Sequence, residues 1–160
     1  MPVGSLERIN RFMGVKRLAM VGLSRRSLDF SRWLCRELQR RGYEVIPVNP
    51  KARELDGMPC YARVGEIRPP VEAALVMTPA RVSEPVVRDC AEAGVRFVWL
   101  YRAVGRGAVS RAAVEFCEAR GIQVIAGLCP CMFFPDAALI HRIHKRLLQM
   151  TGGYPREEAG

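Results

Sequence analysis

Two short stretches of this chain carry side chains suited to holding an anion. Gly22-Leu23-Ser24-Arg25-Arg26-Ser27 brings a glycine, two hydroxyls and two guanidiniums together directly after the apolar run Leu18–Val21. Asn49-Pro50-Lys51 follows a second apolar run, with Arg53 close behind. A guanidinium presents a planar fork of donors that matches phosphate, and glycine lets backbone approach an anion closely. The chemistry on offer is phosphate binding. A third group is nucleophilic: Cys129 and Cys131 flank Pro130 at the end of another apolar run. Thiol–disulfide exchange with a ligand thiol is the reaction open to Cys129. The C-x-C spacing here, and the H-x2-H spacing of His141 and His144, are tighter than zinc sites use, so no metal is expected. No nucleophile, base and orienting acid converge in the pattern, so no catalytic residue is assigned.

The charge balance supports an anionic ligand. The 160 residues hold 25 Lys and Arg against 16 Asp and Glu, a net charge of +9, with Lys only at Lys16, Lys51 and Lys145. Such an excess fits nucleic acid, a membrane surface or a phosphorylated small molecule, and it also serves solubility. Nucleic acid is not expected, because the aromatic residues fall in the core pattern instead of interleaving with basic ones. A composition 49% hydrophobic and 26% charged excludes a disordered or collagenous chain. Runs such as Leu18–Leu23 and Ala73–Met77 are too short to span a bilayer. Met1–Gly14 has no apolar block of the secretory kind, so a cytoplasmic location and reduced cysteines are expected.

The elements that must position these residues follow from periodicity. Ser5 to Met13 reads as a leading helix. Leu18–Val21, Tyr43–Val48, Ala73–Met77, Val95–Leu100 and Gln123–Ala126 are short apolar runs bounded by glycine, proline or polar residues, which is the pattern of buried strands. A helix capped by Asp29 or Ser31 runs through Trp33, Leu34 and Leu38 to the stop at Gly42. Ser83 is expected to cap a helix over Glu84–Ala93, and another helix covers Val109–Arg120. Residues 51–70 read as irregular. Asp136–Met150 forms a last helix whose apolar stripe packs back on the domain and offers an oligomer contact. The alternation of strand and helix predicts an α/β fold: a Rossmann-like, doubly wound parallel sheet of about five strands in three α/β/α layers. Residues 1–150 are read as a single domain and 151–160 as a flexible tail.

In such a sheet, ligands bind beyond the C-terminal strand ends. Those ends are Gly22-Leu23-Ser24, Asn49-Pro50-Lys51, Thr78-Pro79-Ala80, Tyr101–Gly105 and Gly127–Cys131. The first turn departs from G-x-G-x-x-G, with serine at the second and third glycine positions. The second strand ends at Asn49, followed by Lys51 and Arg53, where NAD-binding proteins place a carboxylate for the ribose hydroxyl. Cations in place of that carboxylate favour an adenosine whose ribose carries an extra phosphate. That leaves NADP and coenzyme A. An NADP-binding oxidoreductase or accessory domain is the alternative, and it would need a substrate domain that this length leaves little room for.

These residues resemble the small CoA-binding Rossmann proteins, which are related to the nucleotide-binding domain of the succinyl-CoA synthetase α subunit. The likeness lies in Ala19-Met20-Val21-Gly22-Leu23-Ser24, in Arg41-Gly42-Tyr43-Glu44-Val45-Ile46-Pro47-Val48-Asn49-Pro50, in Gly57–Tyr61, in Trp99 with Gly105, and in Cys129-Pro130. The resemblance implies coenzyme A or an acyl-CoA held by Gly22, Leu23, Ser24, Arg25 and Arg26, by Asn49, Pro50 and Lys51, and by Thr78 and Pro79. Gly105 and Cys129 complete the expected site. It further implies a stand-alone, non-catalytic binding or regulatory module; a homo-oligomer or a partner enzyme is expected separately. Asp29-Phe30, Tyr101-Arg102, Cys131 and the helix from Asp136 depart from the family's usual pattern.

Overall fold

Residues buried on both faces of a sheet alternate between two cores, and this chain fills both. The computed structural model describes residues 3–102, 107–136 and 139–155. Its strands are β1 (Arg17–Val21), β2 (Glu44–Val48), β3 (Glu54–Leu55), β4 (Met58–Pro59), β5 (Ala73–Val76), β6 (Phe97–Tyr101) and β7 (Gln123–Leu128). Its helices are α1 (Leu6–Gly14), α2 (Phe30–Arg40), α3 (Ser83–Glu92), α4 (Arg111–Ala119) and α5 (Leu139–Met150). Five strands form a wholly parallel sheet in the order β2-β1-β5-β6-β7, while β3 and β4 pair as a separate hairpin.

Leu18, Met20, Leu75, Trp99 and Ile125 face one core with Ile9 and Phe12 of α1 and Leu34 and Leu38 of α2. Ala19, Val21, Val76, Val98, Leu100 and Val124 face the other, with Val87 and Cys90 of α3 and Ala113 and Cys117 of α4. The period of two along each strand therefore builds the three expected layers. Trp99 anchors the first core. It is fully buried, its indole N–H donates to the Leu128 carbonyl at 3.0 Å, and Phe12 meets it edge-on at 5.2 Å. Satisfying the indole N–H is what permits so large an amphipathic ring in the interior.

The structure corrects several expectations. The stretch after β2 is not wholly irregular, since it holds the β3–β4 hairpin and a 3-10 turn at Val64–Glu66. The hairpin turns at Asp56-Gly57, both at positive φ (51° and 75°), the backbone that an Asp-Gly pair favours in a two-residue turn. Ser83 is not a cap. It is the first helical residue of α3, and its buried hydroxyl lies 3.4 Å from both the Pro79 carbonyl and the Thr78 hydroxyl. Of the two candidate caps for α2, Asp29 serves, accepting from Ser31 N–H at 2.9 Å. The fourth strand begins at Phe97, because Val95 N–H still closes the end of α3 on the Cys90 carbonyl at 2.9 Å.

Both borders of the sheet carry extra chain. Beside β2, Tyr61 donates to the Pro47 carbonyl at 3.0 Å and accepts from Asn49 N–H at 2.9 Å. Beside β7, Val3 exchanges two hydrogen bonds with Ala126, at 2.8 and 2.7 Å. After α5, Tyr154 packs against Phe133 with ring centres 5.8 Å apart, and Leu148 rests on the first core. Of the apolar stripe predicted for this helix, Ile143 and Leu147 are exposed, as is Met150 beyond it. Among the described residues no helix is long and apolar enough to cross a membrane.

Candidate functional site

The chain leaves β1 toward β2 on one side and leaves β5 toward β6 on the other. Strand order thus diverges between β1 and β5, and a crevice must open above their C-terminal ends. A cleft of about 830 Å³ lies there, a volume typical of small-molecule and cofactor sites. Gly22, Ser24, Thr78 and Pro79 come from the turns after β1 and β5. Asp29, Phe30 and Ser31 enter from the start of α2, and Arg81, Tyr101 and Arg102 close the side toward β6.

Close approach of the two turns depends on Gly22. At φ 88°, a Cβ there would lie 2.8 Å from the Thr78 backbone nitrogen and 2.9 Å from its methyl carbon. No side chain fits that gap. The loop that follows is held by its own polar groups. Ser24 N–H donates to the Ser31 hydroxyl at 3.0 Å, and the Ser31 hydroxyl donates to Asp29 at 2.6 Å. Ser24 Oγ accepts from Arg26 N–H at 3.1 Å. The Ser24 N–H is therefore spent inside the loop, and only its hydroxyl proton remains for a ligand.

Two braces fix this loop from outside. The Asn49 amide donates to the Leu23 carbonyl at 2.9 Å, while its oxygen accepts from Lys51 N–H at 2.8 Å. Arg32, only 4% exposed, donates to the Ser24 carbonyl at 2.9 Å and forms a forked pair with Asp56 in the β3–β4 turn. The Arg32 guanidinium holds the Asp56 carboxyl below its ordinary range. Burial, and then the Asp56 charge, push the nearby Cys35 thiol up to about 11.

The residues expected from sequence thus separate by position. Gly22, Ser24, Thr78 and Pro79 line the cleft. Leu23 is wholly buried beneath it, and Asn49 is a brace between turns. Arg25, Arg26, Pro50 and Lys51 are exposed on the turns after β1 and β2, outside the cleft wall. Gly105 lies outside the described residues. Cys129 is 2% exposed and packs in the first core. Its thiol is drawn down by a hydrogen bond from Cys131, which raises Cys131 in turn. Burial, then these neighbouring thiols, also raise the Tyr101 phenol.

The cleft contains residues outside the expected site, although Arg102 falls within the Tyr101–Gly105 strand end. Arg81 and Arg102 have no acidic partner among the described residues, so their charge is available to a ligand. Arg81 was within reach of the sequence, one position beyond the Thr78-Pro79-Ala80 turn. Gly107 also lines the cleft, and a Cβ there would stand 2.6 Å from the Tyr101 carbonyl oxygen. Asp29 binds Ser31 through one carboxylate oxygen, leaving the other without a partner among the described residues. A second cavity, of about 530 Å³, borders Arg63 and Asp89, but these two pair with each other at 3.0 Å. Among the described residues, no three His, Cys, Asp or Glu side chains gather as a metal site.

Known proteins share this architecture. The uncharacterized protein YneT of Bacillus subtilis is 31% identical over 114 residues, covering 71% of this chain and 82% of that protein. The ADP-forming acetate–CoA ligase I of Archaeoglobus fulgidus is 26% identical over 137 residues, which span 82% of this chain but 20% of the ligase. The solved structure of a hypothetical protein from Pyrococcus horikoshii superposes with a TM-score of 0.72 at 26% identity, covering 89% of this chain and 91% of that one. The model of the CoA binding domain matches residues 16–135, which include every strand of the sheet and the turns that build the cleft, and the chain belongs to that CoA-binding domain family.

Proposed function

We propose that the cleft binds coenzyme A or an acyl-CoA and that the protein is a non-catalytic binding or regulatory module. One observation carries this reading: the turns after β1 and β5, both inside the family match, meet in one cleft at the switch point and share it with two guanidiniums that have no acidic partner among the described residues. The pyrophosphate lies over the Gly22–Ser24 turn, within reach of the Ser24 hydroxyl and Arg81. Asp29 already neutralises the start of α2, so cationic side chains, not the helix end, hold the anion. The free Asp29 oxygen accepts from an amide or hydroxyl of the pantetheine arm. Arg25, Arg26 and Lys51, exposed beside β1 and β2, meet the phosphate on the adenosine ribose. Residues 1–150 act as one binding unit, and a partner enzyme supplies any reaction, as the other four-fifths of the ligase's length suggests.

Thermal unfolding with added ligand tests this. Coenzyme A at a hundred times its dissociation constant stabilises the folded state by about 2.7 kcal/mol, and NADP and duplex DNA at the same concentration do little. No shift at millimolar coenzyme A or acyl-CoA overturns the reading, and a shift with NADP alone replaces it by the oxidoreductase alternative. Arg26→Ala and Lys51→Ala each weaken coenzyme A more than dephospho-coenzyme A. Equal losses for the two ligands remove these residues from the ribose phosphate.

A further inference from the structure

Large exposed apolar residues on a soluble domain are ordinarily scattered. Here three of them, Leu28 (98% exposed), Phe30 (39%) and Trp33 (44%), fall within one turn and the start of α2, beside the cleft. Their rings are ordered. Phe30 stacks on Trp33 with centres 5.3 Å apart and on Tyr101 with centres 5.6 Å apart, at interplanar angles of 29° and 30°. Phe30 and Tyr101 form part of the cleft wall, and Trp33 backs Phe30 from outside. The result is a tilted aromatic bank, open to water, continuous with the cavity.

Its place along the sheet says which end of a ligand it meets. The exposed cations Arg25, Arg26 and Lys51 lie on the turns after β1 and β2, whereas Tyr101, the ring of the bank nearest β6, lies across β5 from them, and Phe30 reaches it from the start of α2. A ligand anchored by its ribose phosphate at the first side runs over β5 and brings its thiol end to the aromatic bank. A flat ring gains burial and edge-to-face contact on such a surface, and a two-carbon acyl group gains far less of the first and none of the second.

We infer that Phe30, Trp33 and Tyr101 form an acyl subsite for a flat aromatic group, so that the ligand is an aryl-CoA thioester. This rests on the coenzyme A reading above. Calorimetric titration of the intact protein with coenzyme A, acetyl-CoA and benzoyl-CoA tests it. Benzoyl-CoA is expected to bind about tenfold more tightly than acetyl-CoA. Trp33→Ala, at an exposed position outside the cleft wall that leaves the core filled, is expected to shrink that preference to about twofold with acetyl-CoA affinity unchanged. Equal affinity for the two thioesters in the unaltered protein overturns the acyl subsite while leaving coenzyme A binding intact. A uniform loss for all three ligands in Trp33→Ala overturns it too, because the rings then stack on the adenine. Binding of none of the three removes the coenzyme A reading itself, and the acyl subsite with it.

Discussion

Gly22→Ala is expected to lower the melting temperature by about 4–20 °C. Two costs combine. The backbone at φ 88° penalises any L side chain by about 1–2 kcal/mol, and the new methyl meets the Thr78 backbone at 2.8 Å, adding about 1–3 kcal/mol of overpacking. Gly42→Ala separates them. Gly42 sits at φ 84°, yet nothing lies within 4 Å of the Cβ it would gain, so only the conformational cost applies and the loss is about 2–8 °C. Because the relief of the Gly22 clash moves Thr78, which lines the cleft, Gly22→Ala also weakens ligand binding, and Gly42→Ala does not. Equal melting temperatures for the two variants would show that the β1 and β5 turns are not held in close contact.

Asp56→Ala is expected to cost about 2 kcal/mol, measured by denaturant unfolding. It strands the Arg32 guanidinium, 4% exposed, with only the Ser24 carbonyl as partner. Breaking a fully buried pair costs roughly 3–5 kcal/mol, and the lower figure allows for an Asp56 side chain that is 34% exposed. Arg32→Met is expected to cost less. The carboxylate it leaves can turn to water and to Arg36, 3.4 Å away. The asymmetry is the signature of a charge buried at one end only. Asp56 also imposes an acid limit. Its folded-state carboxyl is held below the ordinary value of 3.8 by the Arg32 hydrogen bond, so its contribution is complete above that pH and lost as pH falls through the folded-state value. Asp56→Asn should flatten the stability curve below pH 3.8 relative to the unaltered protein. An unchanged acid limb would assign the acid sensitivity to other carboxylates.

The sheet was legible because strands buried on both faces leave nearly continuous apolar runs, as in Ala73–Val76 and Phe97–Leu100. Strand ends were less so. β7 runs past Gly127 to Leu128 while its register with β6 shifts between Leu100 and Tyr101, an adjustment made between strands and not within one. The hairpin was missed because its two-residue strands are too short to show alternation, although Asp56-Gly57 announces the turn. In the cleft, Gly22, Ser24, Thr78 and Pro79 could be anticipated, since topology alone sends those turns to one end of the sheet. Asn49 could not be told from a ligand contact, because its role as a brace exists only once the Leu23 carbonyl stands beside it. The Arg32–Asp56 pair joins a helix to a turn in a stretch that read as irregular, and the stack of Phe30 on Tyr101 requires β6 to lie where the strand order puts it. Such contacts belong to the tertiary fold.

The chain beside each border strand bears on how the protein coexists with other chains. An exposed strand edge is a template for a foreign strand, and through it for fibrous aggregation. Here Tyr61 occupies the outer groups of Pro47 and Asn49, and Pro47 itself has no N–H to offer on that row. Val3 occupies the same kind of position on Ala126 at the opposite border. A neighbouring polypeptide that pairs along the full length of either border strand must displace one of these segments. Association through backbone pairing is thereby hindered at both margins, and recognition by another protein falls to side chains on the helical faces and at the rim of the cleft.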